Sequence, residues 1–282
     1  MIYRGANGIY LRSIDRGQNW IEPRFVIDGY TKDDFVRQFS KRPNSRLSTA
    51  LAAIHPRNPN TLYATFYIGV YSLVGREDHV HQYIAAPGMY ISQDGGDHWT
   101  LFSPTVGNVQ KKSESPPRLG ISPSNPDVMM AQAEKGLVRS QDGGRTWTPV
   151  GQQAELERPA EQKGRAEAIA ELRRRGDTTP IPEVAPVAKF QIFQIEFQPN
   201  DARVVYLVTN KGLYKSENGG DSWCLFVFGV PKLESIWSLA FDPDNQRKIF
   251  VGTERTVMVS SDGGCSFRTF FDYEQLAAKA GR

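Results

Sequence analysis

The chain has 282 residues, with 34 Lys and Arg against 31 Asp and Glu, a formal net charge of +3, and 39% hydrophobic and 23% charged residues. This is the composition of a folded globular chain, outside the low-hydrophobicity, high-charge class, and so even a charge balance supplies no basic face for nucleic acid. Two cysteines, Cys224 and Cys265, cannot build a disulfide framework, no apolar run reaches the roughly 18 residues of a membrane helix, and the opening MIYRGANGIY lacks the apolar core of a secretory signal. Neither membrane insertion nor nucleic-acid binding is therefore expected. A cytoplasmic location is expected, or an exported one if the N-terminus is truncated.

Residues 2–5 and 9–12 read as two short strands that lead into SIDRGQNW at 13–20. Residues 28–47, with Asp33-Asp34-Phe35-Val36 and Lys41-Arg42-Pro43, follow no period and read as an irregular connection. A Pro/Asn turn, IHPRNPNTLY at 54–63, opens a second segment that closes on SQDGGDHW at 92–99 and carries an insertion near 69–87. ISPSNPDVMM at 121–130 and SQDGGRTW at 140–147 repeat the pair. Residues 151–187 interrupt the pattern; RAEAIAELRRR at 165–175 predicts a charged helix with a narrow apolar stripe, stopped by Gly176, Pro180 and Pro182. FQPNDARVVY at 197–206 with SENGGDSW at 216–223, then FDPDNQRKIF at 241–250 with SSDGGCSF at 260–267, give two more copies. Residues 273–282 read as a helical tail by composition.

The recurring box is Ser-x-Asp-x-Gly-x-x-Trp, with Phe267 in place of Trp in the fifth copy. From the first Pro of the turn to the acidic or amide residue of the box is 19 residues for Pro123 to Asp142, Pro199 to Asn218 and Pro243 to Asp262, and 38 for Pro56 to Asp94. The 44 residues between Asn218 and Asp262 set the repeat. Inside it four short strands are predicted, for example 192–197, 204–208, 212–216 and 223–227, with Asn210-Lys211-Gly212 as a hairpin turn. Each box opens on a serine: Ser13, Ser92, Ser140, Ser216 or Ser260. Asp15, Asp94, Asp142, Asn218 and Asp262 are expected to accept hydrogen bonds from their own turn. Gly17, Gly95, Gly96, Gly143, Gly144, Gly219, Gly220, Gly263 and Gly264 supply the turn's backbone angles. Trp20, Trp99, Trp147, Trp223 and Phe267 pack back over the hairpin. A catalytic centre needs one constellation, so five copies make the box a structural staple. A four-stranded unit of this length repeated along a chain predicts an all-β fold, a single-domain β-propeller. Five blades are recognisable, at about 1–30, 47–104, 116–150, 189–229 and 234–272, the first of them incomplete, with a helical insertion at 151–188 between blades three and four.

Ser-x-Asp-Gly-Gly-x-x-Trp is similar to the Asp-box, or bacterial neuraminidase repeat. With the Pro turn, the Tyr-rich strand and Gly-Leu-Tyr-x-Ser, the pattern resembles the propellers of sortilin-type receptors, oligoxyloglucan-type glycosidases and the propeller-type photosystem II assembly factor more than that of sialidases. The likeness covers roughly residues 1–150 and 189–272 and implies a propeller scaffold. A sialidase site would imply three converging Arg, a Tyr with a Glu partner and an Asp acid. Arg4, Arg118, Arg203, Tyr63 and Tyr67 are the right residue types, but no Arg-Ile-Pro-type segment precedes the first box, so that site is not carried over.

A glycosidase needs two carboxylates about 5–9.5 Å apart. Glu196, Asp33, Asp34 and Asp78 are available, and nothing in the sequence pairs them. His79 and His81, with Glu77 or Asp78, form the nearest approach to a metal set; the competing reading is a polar hairpin tip. No cofactor is expected and no residue is assigned to catalysis. Arg165, Ile169, Leu172 and Arg173 mark an expected interaction surface on the insertion. The expected function is a non-catalytic binding or assembly platform for a protein or glycan. Three readings of the ring stay open: a second copy or partner chain closes it, five blades close with an imperfect seam, or the chain is a fragment of a larger propeller. The alternative is a glycoside hydrolase or sialidase-like protein, possessing or having lost its activity.

Overall fold

The computed structural model describes residues 1–6, 9–41, 45–74, 77–85, 88–104, 106, 118–133, 136–151, 174, 190–225, 236–264 and 266–272. These residues are mostly strands, and they group into two compact units. One comprises Met1–Ile121 with Pro126–Trp147, the other Ser122–Asn125 with Thr148–Arg282.

The first unit begins with a two-stranded sheet, β1 (Ile2–Ala6) and β2 (Ile9–Ser13), paired from Ile2↔Ser13 to Ala6↔Ile9. The chain then forms a short strand β3 (Val26–Ile27) and a helix α1 (Lys32–Phe39). The helix falls inside the segment expected to be irregular. Its local signals are complete: Thr31 caps it by accepting from the Asp34 amide, Asp33 and Asp34 sit in the first turn, and Arg37 sits in the last. Eight residues are too short to show a period and marginal as an isolated helix, so packing of Phe35 and Val36 holds it.

The second repeat follows as β4 (Ser45–Ile54), β5 (Leu62–Val74), β6 (Glu77–Ala85), β7 (Met89–Ser92) and β8 (His98–Ser103). The insertion near 69–87 is a β-hairpin in which β5 runs on past its pairing with β7 and β6 folds back against it. β3 pairs parallel to β8, so residues 26–27, expected in the first blade, extend the sheet of the second repeat. Tyr10, Phe25, Phe35, Leu62, Phe66, Tyr90 and Trp99 make the buried core here, with edge-on ring contacts such as Phe66 to Trp99 at 5.4 Å. Leu119–Ile121 (β9), Met129–Ala133 (β10) and Gly136–Ser140 (β11) are the antiparallel strands of the third repeat in this unit.

In the second unit β12 (Thr148–Val150) precedes the fourth repeat. That repeat is a meander of β13 (Ile192–Gln198), β14 (Asp201–Thr209), β15 (Gly212–Ser216) and β16 (Cys224–Leu225). The fifth is the meander β17 (Ile236–Phe241), β18 (Ile249–Thr253), β19 (Thr256–Ser260) and β20 (Arg268–Asp272). Tyr206, Val208 and Leu213 of the fourth repeat and Leu239, Ile249 and Val251 of the fifth share one buried cluster. The expected helical insertion lies outside the described residues apart from Arg174, which is helical and exposed. The tail at 273–282 and the fourth-strand residues 226–227 also lie outside them.

Candidate functional site: an aromatic pair on repeated bulges

The five boxes share one hydrogen-bond scheme. The serine hydroxyl donates to the Asp or Asn oxygen at 2.7–2.9 Å (Ser13 to Asp15, Ser92 to Asp94, Ser140 to Asp142, Ser216 to Asn218, Ser260 to Asp262). The same hydroxyl accepts from the amide four residues on, that of Gly17, Gly96, Gly144, Gly220 or Gly264, at 2.7–2.8 Å. Each box serine is 1% exposed. The Asp or Asn in turn accepts from the backbone amide of Asn19, His98, Thr146, Ser222 or Ser266. In the four Asp boxes the second carboxylate oxygen bonds the side chain of that last residue at 2.6–2.7 Å. Asn218 reverses the polarity and donates its amide to the Ser222 hydroxyl. Two features escaped the sequence reading: the serine as hub, and the polar residue four beyond the Asp. The signal for both was present, since all five copies carry a serine first and a polar side chain at that place.

With both oxygens engaged, Asp15, Asp94 and Asp142 hold protons weakly. Asp15 is lowered to about 2 by the Asn19 amide and then the Ser13 and Asn19 side chains. Asp142 is lowered to about 2 by the Thr146 side chain and amide and by Ser140. For Asp94 burial acts upward, but the bonds from His98 and Ser92 outweigh it.

The box and the Pro turn, two separate motifs in the sequence, touch in space. The first glycine of the box donates to the carbonyl four residues after the turn's first Pro: Gly95 to Asn60, Gly143 to Asp127, Gly219 to Arg203 and Gly263 to Arg247, at 2.7–2.9 Å. The second strand of each repeat pairs with the third so that Met129 faces Ser140, Val205 faces Ser216 and Ile249 faces Ser260, always 11 residues apart. Leu62 faces Ser92 in the same way, with the extra hairpin looped out between them. This contact fixes the 19-residue spacing.

The box aromatics differ in burial. Trp99 and Trp223 are 1% exposed, while Trp20, Trp147 and Phe267 are half-buried. The second box glycine is a point of close approach. A Cβ on Gly144, at φ 87, would collide with the Phe102 ring, and one on Gly96, at φ 102, with the Tyr10 hydroxyl.

The residues that differ between repeats lie on the first strands. The pairing of β13 with β14 steps from Ile192↔Thr209 to Gln194↔Val208, and that of β17 with β18 from Ile236↔Thr253 to Ser238↔Gly252. Phe193 and Trp237 are therefore the extra residues of two β-bulges, each six residues before the turn Pro. Bulges re-aim side chains and gather beside functional sites. The two rings stack at 4.8 Å with a 35° tilt, and Trp237 stays 49% exposed. Gln194 stitches the strands together: its amide nitrogen donates to the Leu239 carbonyl at 2.8 Å, and its oxygen accepts from the Leu239 amide at 2.9 Å. The same nitrogen reaches Glu196 at 3.1 Å. Burial raises the Glu196 carboxyl, and the Gln194 bond only partly offsets it. An exposed aromatic face beside an amide and a carboxyl raised by burial suits contact with a partially apolar, hydrogen-bonding ligand.

The other sequence candidates are placed locally. Arg4 lies over Trp20 at 4.6 Å, and Arg203 pairs with Asp201 at 3.0 Å. Arg118 is desolvated, with the Tyr67 ring in electrostatic range, and its Nε has no hydrogen-bond partner among the described residues. Tyr63 is buried in the second repeat, and burial raises its phenol. Asp33 and Asp34 serve the first turn of α1. His79 and Val80 pair with Ser72 and Tyr71, and Gln82 with Val70, so His81 is the extra residue of a bulge; the side chains of both histidines lie outside the described residues. Arg165, Ile169, Leu172 and Arg173 lie outside them too. Among the described residues no three His, Cys, Asp or Glu side chains gather as a metal set, and no helix is long and apolar enough to cross a membrane.

No family model matches the sequence, and neither does any curated protein. Among solved structures, an ancestral GH74 enzyme aligns with 95% of this chain at 15% identity and a TM-score of 0.47, and this chain spans 29% of that enzyme. YCF48 bound to D1 peptide aligns with 82% of this chain and 85% of its own at 12% identity and a TM-score of 0.31. YCF48 from Cyanidioschyzon merolae aligns with 78% of this chain and 84% of its own at 14% identity and a TM-score of 0.32.

Proposed function

We propose that this chain is an Asp-box β-propeller of five blades, the first incomplete, acting as a non-catalytic binding platform for another macromolecule, a protein or a glycan. The observation that carries this reading is the solvent-facing Trp237 stacked on Phe193 at equivalent bulges, with Gln194 tying the two first strands together at Leu239. A large exposed aromatic on a rigid strand, with hydrogen-bonding groups beside it, has the make-up of a binding anchor. The repeated boxes serve the scaffold and leave ligand recognition to the first strands. The test is to probe arrays of glycans and of peptides with the labelled chain and with Trp237→Ala. A ligand retained by the wild type and weakened about 30-fold or more by the substitution supports the reading, because anchor residues contribute at least about 2 kcal/mol. A ligand bound equally by both overturns this placement of the site.

A second reading, a glycoside hydrolase, is favoured by Glu196, whose carboxyl is raised by burial, the direction a general acid requires. Turnover of aryl glycosides that disappears in Glu196→Gln would establish it and displace the platform reading.

A further inference from the structure

We propose that the first repeat of one copy docks head to tail on the fifth repeat of a second copy, reproducing the contact that the second repeat makes with the third. This rests on the repeat reading and not on the Trp237 platform, so either can fail alone. The second strand of every repeat offers two faces. One is the position opposite the box serine. Leu62, Met129, Val205 and Ile249 stand there, all at most 2% exposed, and Ile2 stands there in the first repeat, 44% exposed. The other face is the next residue along. Tyr63 and Tyr206 stand there, buried at 3% and 2%, and Phe250 stands there in the fifth repeat.

The junction between repeats two and three shows what covers what. Tyr63 meets Phe102 edge-on at 5.1 Å, Met129 belongs to the same buried cluster, and the Phe102 ring lies against Gly144, the second box glycine of the next repeat. Phe102 is three residues beyond its box Trp99; Phe270 is three residues beyond Phe267. Phe250 meets Phe270 edge-on at 5.5 Å, the same pair once more, yet Phe270 is 59% exposed. At the other end the corresponding box glycine, Gly17, has only its own Trp20 nearby among the described residues, at 3.6 Å. The fifth repeat thus presents the knob and the first repeat the socket, each built as at the filled junction. Arg4 replaces the Ala131 of that junction, and its guanidinium lies folded over Trp20 at 4.6 Å. Such a contact is heterologous, since different surfaces meet.

Sedimentation velocity on the full chain tests this with Ile2→Asp, which spoils the socket, and Phe270→Asp, which spoils the knob. Both positions are exposed, and unchanged urea unfolding confirms that each variant is folded. The wild type is expected to associate with rising concentration, and each variant alone to weaken association about 30-fold or more, the effect of losing an interface anchor. Mixed together, the two variants should form a one-to-one dimer, because each keeps the half that the other lost. A wild type that stays monomeric at its highest soluble concentration overturns the proposal, whether the face is closed within the chain or covered by another protein. Variants that associate as the wild type does, or a mixture no more associated than its components, overturn it as well.

Discussion

The box turns and the first-strand bulges are both repeated features, but they vary in opposite ways. Five boxes keep one serine hub, one carboxylate or amide acceptor and one glycine amide donor. The bulges hold Phe193 and Trp237 six residues before the turn Pro in the fourth and fifth repeats, whereas the bulge of β4 falls at Ala52, four residues before Pro56. A buried network tolerates little change, because an orphaned donor or acceptor costs its full desolvation. A solvent-facing bulge residue has no such constraint and is free to be chosen for a ligand. Sameness therefore marks the scaffold here, and difference marks the candidate site.

Substitutions sharpen this contrast in a graded series. Trp99→Ala should cost about 4 kcal/mol in urea unfolding, the range for emptying a buried aromatic site. Trp147→Ala, at a half-buried position, should cost clearly less; equal losses would show that burial does not govern the box aromatics. Gly144→Ala should cost about 3 kcal/mol, since it combines a positive φ with a collision against Phe102, and a neutral result would break the close-approach account. Ser140→Ala should cost about 2 kcal/mol by leaving the Gly144 amide without its acceptor.

Acid provides a gentler probe. Asp15 and Asp142 are lowered in the folded chain, so the unfolded chain binds protons first as pH falls. Their contribution is complete above about pH 4, the ordinary carboxylate range, and disappears as pH falls toward about 2. Asp142→Asn should flatten the decline in stability across that window. Glu196 has the opposite sign: its contribution is present at low pH and lost as pH rises, so Glu196→Gln should stabilise the chain at neutral pH. Trp237→Ala should change stability least, within about 0.5 kcal/mol, while abolishing the array signal.

The repeat, the box and the Pro turn were readable because each depends on local chemistry: turn-forming glycines, an Asx acceptor and alternating strands. So was the hairpin order within each repeat. The helix α1 was missed although its cap and charges were visible, because Phe35 and Val36 find their partners only in the core of the second repeat. The site was half legible. Phe193 and Trp237 occupy the same place before the turn Pro, but a bulge is a relation between two strands, and no single strand's sequence states its register. The sequence by itself determined what recurs: the unit, its turns and the residues that lock them. Tertiary structure decided which box aromatics are buried, that the Pro turn meets the box, and which aromatic stays in water. Those outcomes depend on what packs against each residue from elsewhere in the chain, and local sequence does not encode that.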